Sequence, residues 1–162
     1  MAIVIADTSP LQYLFQLGLL DLLRELYGTV LVPEAVRDEL LVGRSLGVAV
    51  PDPADFTWIM LRPTTTHASI ESSDDLGAGE RAALSLALEI RDAIVILDDA
   101  AARAAAATLN IPTTGTLGVL LLAKERRLVM SIANVLDELE QRGFRIAPAL
   151  LARVLAIAGE NK

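Results

Sequence analysis

IVIADTSPLQYLFQLGLLDLLRELYGTVLVPEAVRDELL, residues 3–41, carries the pattern that decides the fold. Ile3-Val4-Ile5 is a short β-branched run that reads as a buried strand, and Thr29–Val32 repeats it. Between them, Leu11–Gln16 and Leu19–Leu26 read as helices, and Glu34–Leu41 is a third after the second run. Gly18 and Gly28 fall where helices should stop, Pro10 and Pro33 where they should start. Strands alternating with helices predict βαβ units and a parallel sheet covered on both faces.

The alternation continues outward. Ala93–Leu97 predicts another strong strand, while Trp58–Leu61 and Ile111–Thr113 predict weaker ones, giving a mostly parallel sheet of four to five strands. Helices are predicted over Ala78–Ile90, Ala100–Leu109, Leu117–Arg126, Ile132–Gln141 and Pro148–Ala158. Alanine and leucine, 25 and 29 of 162 residues, favour helix throughout. Residues 43–75, holding Pro51, Pro53, Pro63 and Thr64–Thr66, read as a loop-rich excursion. The segments on either side need each other to complete the sheet, so residues 1–162 are expected to form a single domain.

Composition restricts the chemistry. With no cysteine and only His67, thiolate metal sites, a cysteine nucleophile and most Ser-His-Asp chemistry fall away. The formal charge of −7 argues against a passive basic sleeve for nucleic acid. MAIVIAD has no basic stretch ahead of its apolar residues, and the apolar run Leu117–Ala123 is far below the ~20 residues of a membrane helix. A soluble cytoplasmic protein is expected. If there is catalysis, carboxylates carry it.

Five acids stand in informative places. Asp7 follows the first strand, and Asp98 and Asp99 follow Ala93–Leu97. In an open parallel sheet, ligands bind beyond the carboxyl ends of the strands. Capping of the next helix is the competing reading for such acids, although it explains one acid per helix better than an adjacent pair. At 100° per residue, Glu39 falls between Ala35 and Val36, and Glu80 heads the stripe Ala83, Leu84, Ala87. An acid facing a core is costly unless paired, hydrogen-bonded or bound to metal. A rim position beside an arginine, or a first-turn role for Glu80, is the alternative. Four carboxylates in one crevice would repel one another, and hard oxygen ligands at that density suit Mg²⁺ or Mn²⁺.

Three further residues are candidate substrate contacts, each with a local alternative. Ser9 is also placed to cap the first helix, and Thr116 to cap the helix after Thr113-Thr114-Gly115. Arg103, four residues after Asp99, is expected in an i,i+4 ion pair with it. Lys124-Glu125-Arg126-Arg127 reads as a solvated helix end, and His67 sits in a polar loop without an evident role.

IADTSPLQYLFQLGLLDLLRELYG (5–28), VPEAVRDEL (32–40), LGAGERAALSLAL (76–88), VILDDAAAR (95–103) and IPTTGTLGVLLLAK (111–124) resemble, in order, the blocks of PIN-like domains. The resemblance is closest to the prokaryotic branch similar to VapC toxins, and runs from about residue 3 through GFRIAPALLARVL (143–155). It implies a three-layer α/β/α, Rossmann-like fold and a Mg²⁺- or Mn²⁺-dependent ribonuclease site of about four acids. Matched block by block, those acids are Asp7, Glu39, Glu80 and Asp98, with Asp99 the neighbouring candidate. Many VapC-like toxins have Asp in place of Glu80 and a Thr-x-Asp in place of Leu97-Asp98-Asp99, which leaves the choice between the paired aspartates open.

The expected function is therefore metal-dependent hydrolysis of single-stranded RNA, by a chain that is the toxin of a toxin–antitoxin pair or a relative of one. Net charge then argues that RNA binding depends on metal. The alternative is a PIN-fold binding module that acts through a partner, such as a small antitoxin-like protein, with little catalysis. The apolar helices 11–26 and 148–158 would serve that partner or a homodimer. An aspartyl phosphatase ranks below both, because Ser9 stands where an Asp-x-Asp pair starting at Asp7 requires acid.

Overall fold

β-branched runs become strands here because both of their faces are covered. In a computed structural model, which describes residues 3–70 and 75–160, β1 (Ile3–Ala6), β2 (Val30–Pro33), β3 (Ile59–Arg62), β4 (Ala93–Ile96) and β5 (Thr113–Thr114) form one sheet. Its order is β3-β2-β1-β4-β5 and every pairing is parallel, with Val4 opposite Val30 and Ile94, and Val95 opposite Thr113. Successive side chains on a strand leave by opposite faces. Val4, Ala6, Val30, Val32 and Ile96 accordingly enter one apolar cluster, and Ile5, Leu31, Val95 and Leu97 the other.

Eight α-helices among the described residues supply the two covers: α1 (Thr8–Gln16), α2 (Asp21–Tyr27), α3 (Glu34–Ser45), α4 (Ala78–Ile90), α5 (Ala100–Thr108), α6 (Thr116–Glu125), α7 (Ala133–Gln141) and α8 (Pro148–Ile157). Leu11, Leu14, Leu23, Val36, Leu40, Leu120 and Leu136 close the first face, while Leu84, Leu86, Ala102 and Ala106 close the second. The result is the expected three-layer α/β/α fold. On α5 the buried side chains are the small Ala102 and Ala106.

The excursion over residues 43–75 is more ordered than its proline content suggests. α3 continues to Ser45, a 3₁₀ turn covers Pro53–Asp55, and β3 adds an edge strand to β2. The Arg37 guanidinium holds Asp52 through Nε–Oδ1 at 2.8 Å and Nη2–Oδ2 at 3.0 Å, tying the turn to α3. Residues 71–74 of the excursion lie outside the described residues. Gly28 ends α2 at φ +74°, a conformation that costs a side chain dearly.

The strand order places the functional end. From β1 the chain first builds β2 and β3 on one side, then returns to build β4 and β5 on the other. At such a switch point the connections diverge and leave a crevice beyond the carboxyl ends of β1 and β4. Among the described residues, no helix is long and apolar enough to cross a membrane.

Candidate active site

Asp7 sits at the centre of that crevice. Its backbone N–H donates to the Ile96 carbonyl at 3.0 Å, so β1–β4 pairing extends to it and fixes its position. The residue is 4 % exposed, yet it makes no side-chain cap to α1, and its Oδ1 is buried without a partner. The capping alternative therefore fails for this acid. Burial pushes the carboxyl up to about 7; the Thr8 amide opposes this, and the charges of Glu80, Glu39 and Asp98 add to it.

Glu39 and Glu80 reach the same place from α3 and α4. Thr8 Oγ1 donates to Glu39 Oε1 at 2.6 Å, which fixes one oxygen of that half-buried carboxylate. Glu80 Oε1 accepts the Gly77 N–H at 2.9 Å, so Glu80 does serve its own first turn, with its other oxygen unengaged there. Burial also raises the Glu80 carboxyl above its usual range, with the Gly77 bond opposing and the charges of Asp99 and Glu39 contributing. The two glutamates flank Gly77: the Cβ position of that glycine lies 3.6 Å from Glu80 Oε1 and 3.7 Å from Glu39 Oε2.

The adjacent aspartates divide their work. Asp99 is the N-cap of α5, its Oδ2 accepting from Ala102 N at 3.0 Å. Asp98 is held from other elements, by Thr116 N at 2.7 Å on Oδ1, and by Thr116 Oγ1 at 2.8 Å and Ser9 Oγ at 3.0 Å on Oδ2. Two expectations are corrected by these bonds. Ser9 and Thr116 are not helix caps: Asp7 and Gly115 occupy the cap positions, and both hydroxyls turn to Asp98 because a carboxylate is the stronger acceptor. Arg103 forms no ion pair with Asp99, whose carboxylate is committed to the α5 amide. Of the expected solvated helix end, Glu125, Arg126 and Arg127 are exposed, and the third correction is confined to Lys124, which is half-buried and pairs with Glu160 at 2.8 Å.

All five acids line two adjoining cavities that share Asp7, Ser9 and Glu80. One, of about 410 Å³, adds Asp98, Asp99, Tyr13 and the loop Gly143–Arg145. The other, of about 310 Å³, adds Thr8, Gln12, Glu39 and Gly77. Tyr13 and Phe144 meet edge to face, with centroids 5.1 Å apart, and wall the first cavity. Among the described residues, no three carboxylates surround a single metal-sized point, so the acids ring a cleft rather than form a closed cage. The donor set nonetheless fits a hard divalent ion: it is all oxygen, and it includes one buried oxygen that nothing in the protein satisfies.

Gly79 belongs to the site, although nothing about it was singled out in the sequence. A Cβ there would run into the Glu39 carboxylate and lie 3.1 Å from Thr8 Oγ1. Its signal is a glycine inside a predicted helix, which costs ~1 kcal/mol relative to alanine and so calls for a close neighbour. Gly79→Ala is expected to displace Glu39 and lower any catalytic rate at least ~10-fold, with melting temperature changed little, since helix propensity offsets the crowding. Full activity together with a raised melting temperature would show that Glu39 is free to move.

A family model described as a PIN domain matches residues 3–160. No curated protein and no solved structure gives a significant match. Sheet order and layer arrangement agree with that match, and the chain belongs to the PIN domain family, whose fold is of the nuclease type.

Proposed function

We propose that the protein is a Mg²⁺- or Mn²⁺-dependent endoribonuclease that hydrolyses single-stranded RNA in the cleft beyond β1 and β4. The observation that carries this reading is Asp7 Oδ1, a buried carboxylate oxygen with no partner, in a cleft ringed by four more acids. A buried charge without compensation is expensive, and its retention is explained by a cation that the folded chain is built to receive.

Asp7, Glu39, Glu80 and Asp98 would share the holding of one or two ions along the cleft, while Asp99 serves α5. When bound, the ion supplies charge neutralisation and activation of water for attack on phosphorus. The chain does the positioning. Thr116 and Ser9 orient Asp98, Thr8 orients Glu39, and Gly77 N–H orients Glu80, so each carboxylate enters with one torsional choice already made. The carboxylates that line the cleft disfavour a phosphate until the ion is present, which accounts for a nuclease with a charge of −7.

The test is cleavage of an end-labelled single-stranded RNA pool with Mn²⁺ or Mg²⁺. Cleavage that is abolished by EDTA and absent from Asp7→Asn plus Glu39→Gln is the expected result. Equal activity in the parent and that double variant would overturn the reading. If the nuclease acts as a toxin, induced expression arrests growth in the parent and not in the double variant.

A further inference from the structure

A third cavity opens against the acid cleft and carries the opposite charge. It has a volume of about 610 Å³ and lies between α5, α6, the loop 142–147 and α8. The two spaces share Asp98, Phe144 and Arg145. On the cleft side stand Asp7, Glu80, Asp98 and Asp99 with one arginine; on the other side stand Arg103, Arg145 and Arg153 with one acid, Asp98. That acid already accepts three hydrogen bonds from Thr116 and Ser9.

None of the three arginines pairs with a described carboxylate. In a chain with 21 acids and 14 basic residues, three unpaired guanidiniums around one cavity are a concentration of positive charge against the overall balance. Gly115 keeps Arg103 at the boundary, because a Cβ there would stand 2.8 Å from Arg103 Nη1 and 2.9 Å from Asp98 Oδ1. Apart from Thr113 and Thr114 the side chains that complete the lining are apolar, with Leu117, Leu121, Leu150 and Ile157 beside Phe144. Leu150 and Ile157 are 42 % and 68 % exposed, a cost in water that an occupant would relieve.

Apolar and aromatic surface rimmed by arginine matches the two halves of an unpaired nucleotide: a base with a π-face and an anionic linkage. The volume lies within the about 300–1,000 Å³ of small-ligand sites. A duplex offers no free base to such a pocket, since its bases are stacked inside. We infer that this cavity seats the single-stranded segment that flanks the scissile linkage, with a base on the apolar floor and its phosphates on Arg103, Arg145 and Arg153. The inference rests on the nuclease reading of the neighbouring cleft and adds to it the direction in which the strand leaves.

Binding and cleavage are measured separately. Affinity is read by fluorescence anisotropy with a labelled twelve-nucleotide RNA, single-stranded or as a duplex, in Ca²⁺ across a salt series. Cleavage of the single strand is read in Mn²⁺. Arg145→Ala plus Arg153→Ala is expected to weaken single-strand binding at least ~10-fold and to reduce the log–log salt slope by about 0.7 per arginine lost. Arg24→Ala, an exposed residue of α2 that lines none of these three cavities, is the control and is expected to bind as the parent does. The duplex is expected to bind at least ~10-fold more weakly than the single strand.

If the double arginine variant binds and cleaves like the parent, the seat is overturned, the nuclease reading survives, and the cavity is left to a protein partner. Equal binding of duplex and single strand also overturns it. Arginine-dependent binding without cleavage by the parent supports the seat and overturns the nuclease reading instead.

Discussion

Asp7→Asn is expected to melt above the parent at pH 8 in EDTA while losing RNA cleavage by a factor on the order of 10³. The two effects have one cause. The folded carboxyl is raised from 3.8 to about 7, chiefly by burial. Between those values the folded chain keeps a proton that the unfolded chain has released, so stability falls as pH rises through that window and is level above it. At 1.36 kcal/mol per unit the loss amounts to about 4 kcal/mol at most. Asparagine fills the same space and does not ionise. Its advantage is therefore absent below about pH 4, grows toward pH 7 and persists above.

The measurement is melting temperature against pH for both chains without metal; parallel profiles would sink the idea. Mn²⁺ supplies the complementary half. At 100-fold over its dissociation constant an ion that binds only the folded chain adds about 2.7 kcal/mol, or about 5–10 °C for a domain of this size. The parent should show that rise at pH 8 and Asp7→Asn should not. A site evolved for binding rather than for stability leaves this signature: the substitution that removes function strengthens the empty fold.

Glu160→Ala is expected to be the most destabilising single change outside the apolar core, at about 3 kcal/mol and about 6–12 °C. One carboxylate collects four donors: Lys124 Nζ at 2.8 Å, Ser131 Oγ at 2.5 Å, and the backbone N–H groups of Ile132 and Ala133 at 2.8 and 3.0 Å. It thereby satisfies otherwise orphaned amides at the start of α7 and ties the chain three residues beyond α8 to α6. Burial would raise this carboxyl, but the Lys124, Ser131, Ile132 and Ala133 donors outweigh it and hold it down at about 2 against 4.5. A depressed acid contributes stability that is present above 4.5 and lost as pH falls from 4.5 toward 2, the reverse of Asp7. Acid titration of melting temperature in the parent and in Glu160→Gln separates the two: the variant should be less stable at pH 7 and flatter below pH 4.5. A loss under about 2 °C for Glu160→Ala would mean that solvent replaces the four donors without cost.

Much of this molecule is local, and so legible in its sequence. Val30–Pro33 and Ala93–Ile96 are strands because β-branched runs of that length are covered on both faces, and the leucine and alanine spacing of α4, α5 and α6 marks their helices. Asp7 and Asp98 could be selected because a strand's carboxyl end is an address in a parallel sheet, and Glu39 because helical periodicity turns it inward. Arg103 and Lys124 were less readable. Each has a sequence neighbour of opposite charge, yet Arg103 extends toward Gly115 and Lys124 reaches Glu160, 36 residues on.

The sequence by itself determined the element order, the three layers and the set of acids at the ends of the strands, since period, capping and strand-end position are short-range properties. Only the tertiary structure decided which acid does what. Asp98 and Asp99 are chemically alike and adjacent, but one is claimed by the amide of Ala102, three residues away, and the other by Thr116 and Ser9, 18 and 89 positions distant. Each carboxylate has few lone pairs, and the fold decides which donors arrive to fill them. Among the described residues, Asp7 Oδ1 is the buried carboxylate oxygen to which no donor comes, and that is a property of the packed sheet end rather than of any motif.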